Sequence, residues 1–392
     1  MTNNFIARSL SATIEQALRY LPVVTLTGPR QSGKTTLCRN LFPDLPYANF
    51  EDVAVLAEVQ SDPKAFLNKY PHGAIIDEAQ RYPEIFSYLQ VLVDEDRHNG
   101  NSERHFIVTG SSNLSLMESI TQSMAGRTAV LTLLPLSTRE LLDSQKNIDT
   151  PHCILNGGYP AVWQAEEEAR QMLLSSYYTT YIERDVRMLI NVKDLRAFQT
   201  FIRMCAGRVG QEFNASSMSI EVGVSVNTIR KWISILSASY IVYLLYPYYA
   251  NIGKRLTKTP KLYFYDTGLA SFLLGVHNAE QLYSHPQRGA LFENMIVNDM
   301  MKHGTNQGQD EQLFFYRDKG QHEVDVIRSL PSGIEAYEIK SGQTYQTDFF
   351  RNLDYLKALL KEQITRTMVV YDGSQENDST YNGICNFRHL VL

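Results

Sequence analysis

Val23-Val24-Thr25-Leu26-Thr27-Gly28-Pro29-Arg30-Gln31-Ser32-Gly33-Lys34-Thr35-Thr36 decides the fold, because five β-prone residues run straight into a GxxxxGKT pattern. The spacing predicts a strand, a loop and a helix. Two glycines let the backbone curl until successive N–H groups point at phosphate oxygens, and the following helix adds the positive end of its dipole. The expected nucleotide-binding residues are Gly28, Pro29, Arg30, Gln31, Ser32, Gly33, Lys34, Thr35 and Thr36. Lys34 would reach the β and γ phosphates and Thr35 would ligate Mg²⁺. Leu37 and Leu41 give the helix a buried side before Phe42-Pro43 stops it.

Outward from this stretch, Ala74-Ile75-Ile76-Asp77-Glu78 is an apolar strand ending in two carboxylates. Asp77 is the expected second Mg²⁺ ligand, through water, and Glu78 the residue that polarises the attacking water. Ile85, Leu89, Leu92 and Val93 then repeat at helical spacing, which places the acidic pair at a strand-to-helix junction. A third strand, His105 to Thr109, ends in Gly110-Ser111-Ser112-Asn113. A helix cap and a tight turn would explain the carboxylates and the glycines separately; three strand tips in the right order argue against that. Arg127, in Ala125-Gly126-Arg127, is a candidate cation beside the γ-phosphate, in its own or a neighbouring subunit. An ion pair with Glu140 is the equal alternative.

A chain of 392 residues exceeds one hydrophobic core, and 44% hydrophobic with 20% charged residues is ordinary globular composition. The net charge of −5 excludes a generally basic coat, so DNA contact must come from local patches. Cys38, Cys153, Cys205 and Cys385 lack metal-type spacing. Met1 to Ser11 lacks a signal-peptide core and Tyr240 to Tyr249 is too short to span a bilayer, so a cytoplasmic protein without membrane association is expected.

Glu166 to Leu189 reads as helix and suits a lid on the nucleotide domain. Ser216 to Glu221, a turn at Val222 to Ser225 and a helix from Val226 to Ser237 read as helix-turn-helix, with Ser225 as N-cap. Ile229, Ile233 and Leu236 form the buried stripe, leaving Asn227, Arg230 and Lys231 outward, where a DNA groove would meet them. Between two β-rich runs, Tyr240 to Tyr246 and Leu262 to Tyr265, lie Lys254, Arg255, Lys258 and Lys261, which read as a basic wing. A packing or oligomerisation module is the alternative.

Further on, Glu293 lies on a helix from Arg288 to Lys302, and Glu323 to Ile327 reads as a strand. A turn at Pro331-Ser332-Gly333 leads into Glu335 to Lys340, where Glu338 and Lys340 share a face. If the strands pair, Asp325 approaches Glu338, and Glu293 completes an oxygen-lined Mg²⁺ site with Lys340 orienting a water. The alternative is solvated charges at a sheet edge, Lys340 paired with Glu338. His303 and His322 are expected on the surface.

GPRQSGKTTL, AIIDEAQ, VTGSSN, MAGR and LLPLSTREL together resemble a family of bacterial and archaeal AAA-type ATPases, as do Tyr181 to Asp185, Tyr263 to Gly268 and Glu338 to Lys340. The resemblance covers nearly the whole chain. It implies an α/β fold class: an AAA-like P-loop parallel-sheet ATPase core at 1–145, a helical lid at 146–205, a winged helix at 206–265, and at 266–392 a restriction-endonuclease-like domain of the PD-(D/E)xK superfamily. Val324 stands where the name-giving proline would be. In AAA-like ATPases a polar residue at the third strand tip contacts the γ-phosphate or the water, which selects Ser112, with Ser111 and Asn113 close behind. The catalytic set is then Lys34, Glu78, Ser112 and Arg127 for ATP with Mg²⁺, and Glu338 and Lys340 for the nuclease-like domain. The expected function is a Mg²⁺-dependent ATPase that engages DNA, with a homo-oligomer left open. The alternative is an ATP-driven switch or scaffold whose C-terminal domain binds without cleaving.

Overall fold

A computed structural model describes residues 5–101, 103–111, 120, 122–144, 148–186, 194–249 and 258–392. The chain divides into two compact units, Met1–Pro135 with Thr305–Gln309, and Leu136–Gly304 with Asp310–Leu392.

In the first unit, β1 (Val23–Thr27), β2 (Tyr47–Asn49), β3 (Ile75–Asp77), β4 (Phe106–Thr109) and β5 (Thr128–Thr132) form a sheet ordered β2-β3-β4-β1-β5, every pairing parallel. Successive side chains leave opposite faces of a strand. Val23, Ile76, Phe106 and Val108 therefore enter one apolar layer with Phe66, Phe86 and Leu89, while Val24, Leu26, Ile75 and Ile107 enter another with Leu10, Ile14 and Leu37. Burial on both faces is why these strands are continuous apolar runs. Because β4 lies between β1 and β3, the ends of all three strands come together above the loop that starts at Gly28.

The second unit begins with helices. The expected continuous helix from Glu166 is divided: a single turn at Glu167–Ala169, an α-helix at Arg170–Tyr177 and a π-helical stretch at Tyr178–Val186. Its tyrosines are core, with Tyr177, Tyr178 and Tyr181 all buried. The helix-turn-helix forms as Ala215–Val222 and Val226–Ala238, and the Ser225 hydroxyl accepts the Thr228 N–H at 3.1 Å. Ile229, Trp232, Ile233 and Leu236 are buried, Trp232 lying against Phe198 and Phe201 at ring distances of 5.3 and 5.4 Å. An antiparallel pair follows, β6 (Val242–Leu245) and β7 (Lys261–Phe264). Tyr240 falls outside β6 because its backbone is left-handed, φ 55°.

The C-terminal sheet comprises β8 (Leu313–Arg317), β9 (Glu323–Leu330), β10 (Gly333–Lys340), β11 (Ile364–Tyr371) and β12 (Gly383–Asn386), ordered β12-β11-β10-β9-β8. β8, β9 and β10 pair antiparallel, β10, β11 and β12 parallel. Leu353 and Leu356 of the helix Arg351–Leu360 pack on Val324, Ala336 and Val369 of one face. All four cysteines are buried. Among the described residues no helix is long and apolar enough to cross a membrane.

Candidate nucleotide site and carboxylate cluster

The loop after β1 is held open by its backbone. Gly28 has φ 135°, and a Cβ there would stand 2.3 Å from the Leu133 carbonyl oxygen, so only glycine fits. Gly33, at φ 93°, turns the chain into the helix Lys34–Leu41. Gln31 (φ 61°) and Glu78 (φ 58°) are left-handed without being glycine, a strain that persists where surrounding structure imposes it. Part of that imposition comes from Arg8, which is buried and donates to the Ser32 carbonyl at 2.8 Å and the Leu134 carbonyl at 2.6 Å. Nothing local in the sequence pointed to Arg8.

Lys34 is buried under this loop, its Nζ donating to the Gly28 and Pro29 carbonyls at 3.1 and 2.7 Å. Burial lowers its pKa to about 8, although Glu78 and Asp77 oppose the shift. Asp77, at the end of β3, is surrounded by neutral donors. The Thr35 hydroxyl donates to its Oδ2 at 2.7 Å, the Tyr47 hydroxyl to the same oxygen at 2.7 Å, and the Thr109 hydroxyl to Oδ1. Burial raises the Glu78 carboxyl above its ordinary value. Gln80 donates to Glu78 and, at 3.0 Å, to the Ser111 hydroxyl, tying the tip of β4 to the carboxylate. Ser112 and Asn113 lie outside the described residues.

This donor set fits a magnesium nucleotide. A hydroxyl and a carboxylate oxygen stand side by side as hard ligands, the buried Lys34 ammonium donates to two carbonyls, and Gln80 Oε1 is buried without a partner. Tyr47, Thr109 and Gln80 were not singled out from the sequence, although Gln80 and Thr109 sit inside the motifs that were. Arg127 pairs with Asp94 through two hydrogen bonds of 2.7 and 2.8 Å, so the ion pair that is its alternative role is made with Asp94 and not with Glu140, whose Oε2 accepts the Ser137 N–H at 2.9 Å.

In the second unit, Asn227, Arg230, Lys231 and Lys258 are exposed, while Lys254 and Arg255 lie outside the described residues. Lys261 corrects the reading of a basic wing. It is 2% exposed, and its ammonium bonds Glu293 Oε1 at 3.2 Å and Glu323 Oε1 at 2.6 Å. Burial works against that charge, but Glu293, Asp325 and Glu323 hold the proton more tightly than water would.

Register brings the C-terminal carboxylates close. Tyr337 pairs with Val326, and the Asp325 Oδ2 accepts the Ile339 N–H at 2.7 Å. Glu338 Oε1 accepts from Lys340 at 2.5 Å, while its Oε2 is buried without a partner. Burial, then Asp325, pushes Glu293 up to about 7 and Glu338 up to about 8. Glu293 also accepts from the Tyr263 hydroxyl. Yet among the described residues no group of three His, Cys, Asp or Glu side chains is disposed to hold a metal ion. Glu293, Asp325 and Glu338 as placed do not fit the expected Mg²⁺ cage, because a lysine and a main-chain N–H stand among their oxygens. His322 stacks on Tyr355 at 3.8 Å and contacts Asp318 at 3.2 Å.

Residues 21–142 match the family described as an AAA domain, 148–280 a domain of unknown function, DUF8612, and 288–388 another, DUF4143. An uncharacterized protein of Mycobacterium tuberculosis is 32% identical over 371 residues, covering 93% of this chain and 80% of that one, and a Mycobacterium bovis protein matches equally. A Haemophilus influenzae relative is 25% identical over 72% of this chain and 75% of its own. Among solved structures, the Walker-type ATPase of Pyrococcus abyssi is similar at 14% identity and TM-score 0.46, over 69% of this chain and 97% of that one. The chain belongs to the same family as the mycobacterial proteins, a family of AAA-type P-loop ATPases.

Proposed function

We propose that the protein is a Mg²⁺-dependent ATPase that binds and hydrolyses ATP at residues 28–36 and engages DNA through its second unit. The observation that carries the first half is the Thr35 hydroxyl set 2.7 Å from the Asp77 carboxylate, above a loop with a buried ammonium. Thr35 and Asp77 would hold Mg²⁺, which when bound neutralises phosphate charge. Lys34 would exchange its two carbonyl partners for the β and γ phosphates. Glu78 would polarise the attacking water, steered by Gln80 and by Ser111 or Ser112. Arg127 would act on the γ-phosphate only by leaving Asp94, in its own or a neighbouring subunit. Steady-state ATP turnover tests this reading: it is expected in the unaltered protein and lost in Lys34→Ala, and equal turnover in the two overturns it.

Support for DNA engagement is the exposed Asn227, Arg230 and Lys231 on a capped helix, with Lys258 and, in sequence, Lys254 and Arg255 following. The proposed division is an ATPase core at 1–145, a lid at 146–205, a winged helix at 206–265 and a PD-(D/E)xK nuclease-like domain at 266–392. Removing Arg230 and Lys231 together by alanine should weaken duplex binding and flatten its log–log salt slope by about 2. Unchanged affinity and slope would exclude this helix as the reader.

A second reading, in which the C-terminal domain with Glu338 and Lys340 binds without cutting and ATP drives a switch in assembly, is favoured by Lys261 among the carboxylates. Cleavage of duplex, single-stranded or branched DNA that is lost in Asp325→Ala would exclude it.

A further inference from the structure

Lys261 sets its ammonium against Glu293, one of the three carboxylates a divalent ion would need. Its ammonium bridges Glu293 of the helix Arg288–Asn306 and Glu323 of β9, and its charge is felt by Asp325 on the same face of β9. We infer that Lys261 is a permanent internal cation that takes the place of a divalent metal in this carboxylate cluster, making the C-terminal domain metal-independent. The inference rests on the nuclease-like reading for where an ion would sit.

Two things make the lysine a fixture and not a passing contact. Its backbone is held on both sides: Lys261 pairs with Leu245 across the hairpin, Phe213 N–H donates to the Pro260 carbonyl at 2.7 Å, and Leu262 exchanges hydrogen bonds of 3.0 and 2.8 Å with Gln211 and Gly210. The helix that carries Glu293 is in turn bound to β7, since the Asn294 side chain accepts from Phe264 N–H at 2.9 Å and donates to the Phe264 carbonyl at 2.8 Å. The second is charge. Buried carboxylates need a counter-charge, and removing one partner of such a group is strongly destabilising. A fixed ammonium supplies that charge and repels any second cation brought into the same shell. Glu293 Oε1 already receives Lys261 and Tyr263, one Asp325 oxygen receives the Ile339 N–H and Glu338 Oε1 receives Lys340, so half of the oxygens of these three carboxylates are engaged by donors.

Mn²⁺ binding followed by electron paramagnetic resonance on the nucleotide-free full chain tests this. The unaltered protein and Asp325→Asn should bind Mn²⁺ alike, whereas Lys261→Met, checked as folded by circular dichroism, should gain a bound ion that is lost when Asp325→Asn is added. Mn²⁺ bound by the unaltered protein and released by Asp325→Asn overturns the inference while favouring the nuclease-like reading. A folded Lys261→Met that gains no ion overturns both. Should Lys261→Met not fold, the comparison of the unaltered protein with Asp325→Asn still decides.

Discussion

Lys34 and Lys261 are both buried beside two or more carboxylates, and they are bonded in opposite ways. Lys34 donates only to the Gly28 and Pro29 carbonyls, while the neighbouring Asp77 is held by the hydroxyls of Thr35, Tyr47 and Thr109. Lys261 donates directly to Glu293 and Glu323. Carbonyl bonds leave the Lys34 ammonium without a direct ion pair and ready for phosphate, and hydroxyl donors leave the Asp77 charge ready for a cation. In the second cluster the charges are already spent on each other. The difference separates a site whose ammonium is kept off its carboxylates from one whose ammonium is already paired with them.

The largest expected effect that sharpens this contrast is on catalysis. Glu78→Gln should lower ATP turnover by about 10²–10⁴-fold with ATP affinity retained, the usual range for a lost general base. Turnover within a few-fold of the unaltered rate would remove Glu78 from that role. Next is Lys261→Met, which leaves Glu293 without its cation and Glu323 with Arg317 alone, and should lower the unfolding free energy by about 3–5 kcal/mol in urea titrations. A cost near zero would mean that the cluster does not depend on the lysine.

Thr109→Val removes one neutral donor from Asp77, whose Oδ1 keeps the Glu78 N–H at 3.1 Å, and should cost about 1.5–3 kcal/mol of stability, the range for one hydrogen bond to a charged group. If the cost is negligible, the hydroxyls are not what holds Asp77. ATP affinity should also depend on pH, because the Lys34 pKa in the free protein is lowered to about 8. The protonated form is the one that binds, so affinity is full below about 8 and falls as pH rises, by at most about tenfold per unit. Calorimetric titrations between pH 7 and pH 9.5 check the sign.

A second pH effect lies in the C-terminal cluster. Glu338 is raised from 4.5 to about 8, so the folded state holds more protons than the unfolded one across that interval. Its contribution is fully present below the unfolded value and is lost as pH rises through about 8. Urea midpoints of Glu338→Gln should therefore fall less over this window than those of the unaltered protein.

Much of the first unit was legible because its signals are local. The strand, loop and helix from Val23 to Leu41 need only spacing and glycine, and Asp77-Glu78 needs only an apolar run that ends in charge. The pairing that brings Asp325 toward Glu338 was legible from the turn at Pro331-Ser332-Gly333 and the period of two, whereas the Asp325 bond to the Ile339 N–H was not. Lys261 was misread for the opposite reason. A lysine after Lys258 and Pro260 reads as an exposed wing, and its burial comes from Glu293 and Glu323, 32 and 62 residues later in the chain. Arg8 was invisible in the same way, since Ser32 and Leu134 become its acceptors only once the sheet has formed. Tyr240 read as strand because aromatic residues favour strands, and only its left-handed backbone excludes it.

The most direct test of the central claim is equilibrium titration of purified protein with ATP in the presence of Mg²⁺, alongside Lys34→Ala. Saturable binding by the unaltered chain, and none at the same concentrations by the variant, is the predicted result. Equal affinity in both proteins, or none in either, would contradict a phosphate site built on Gly28 to Thr36.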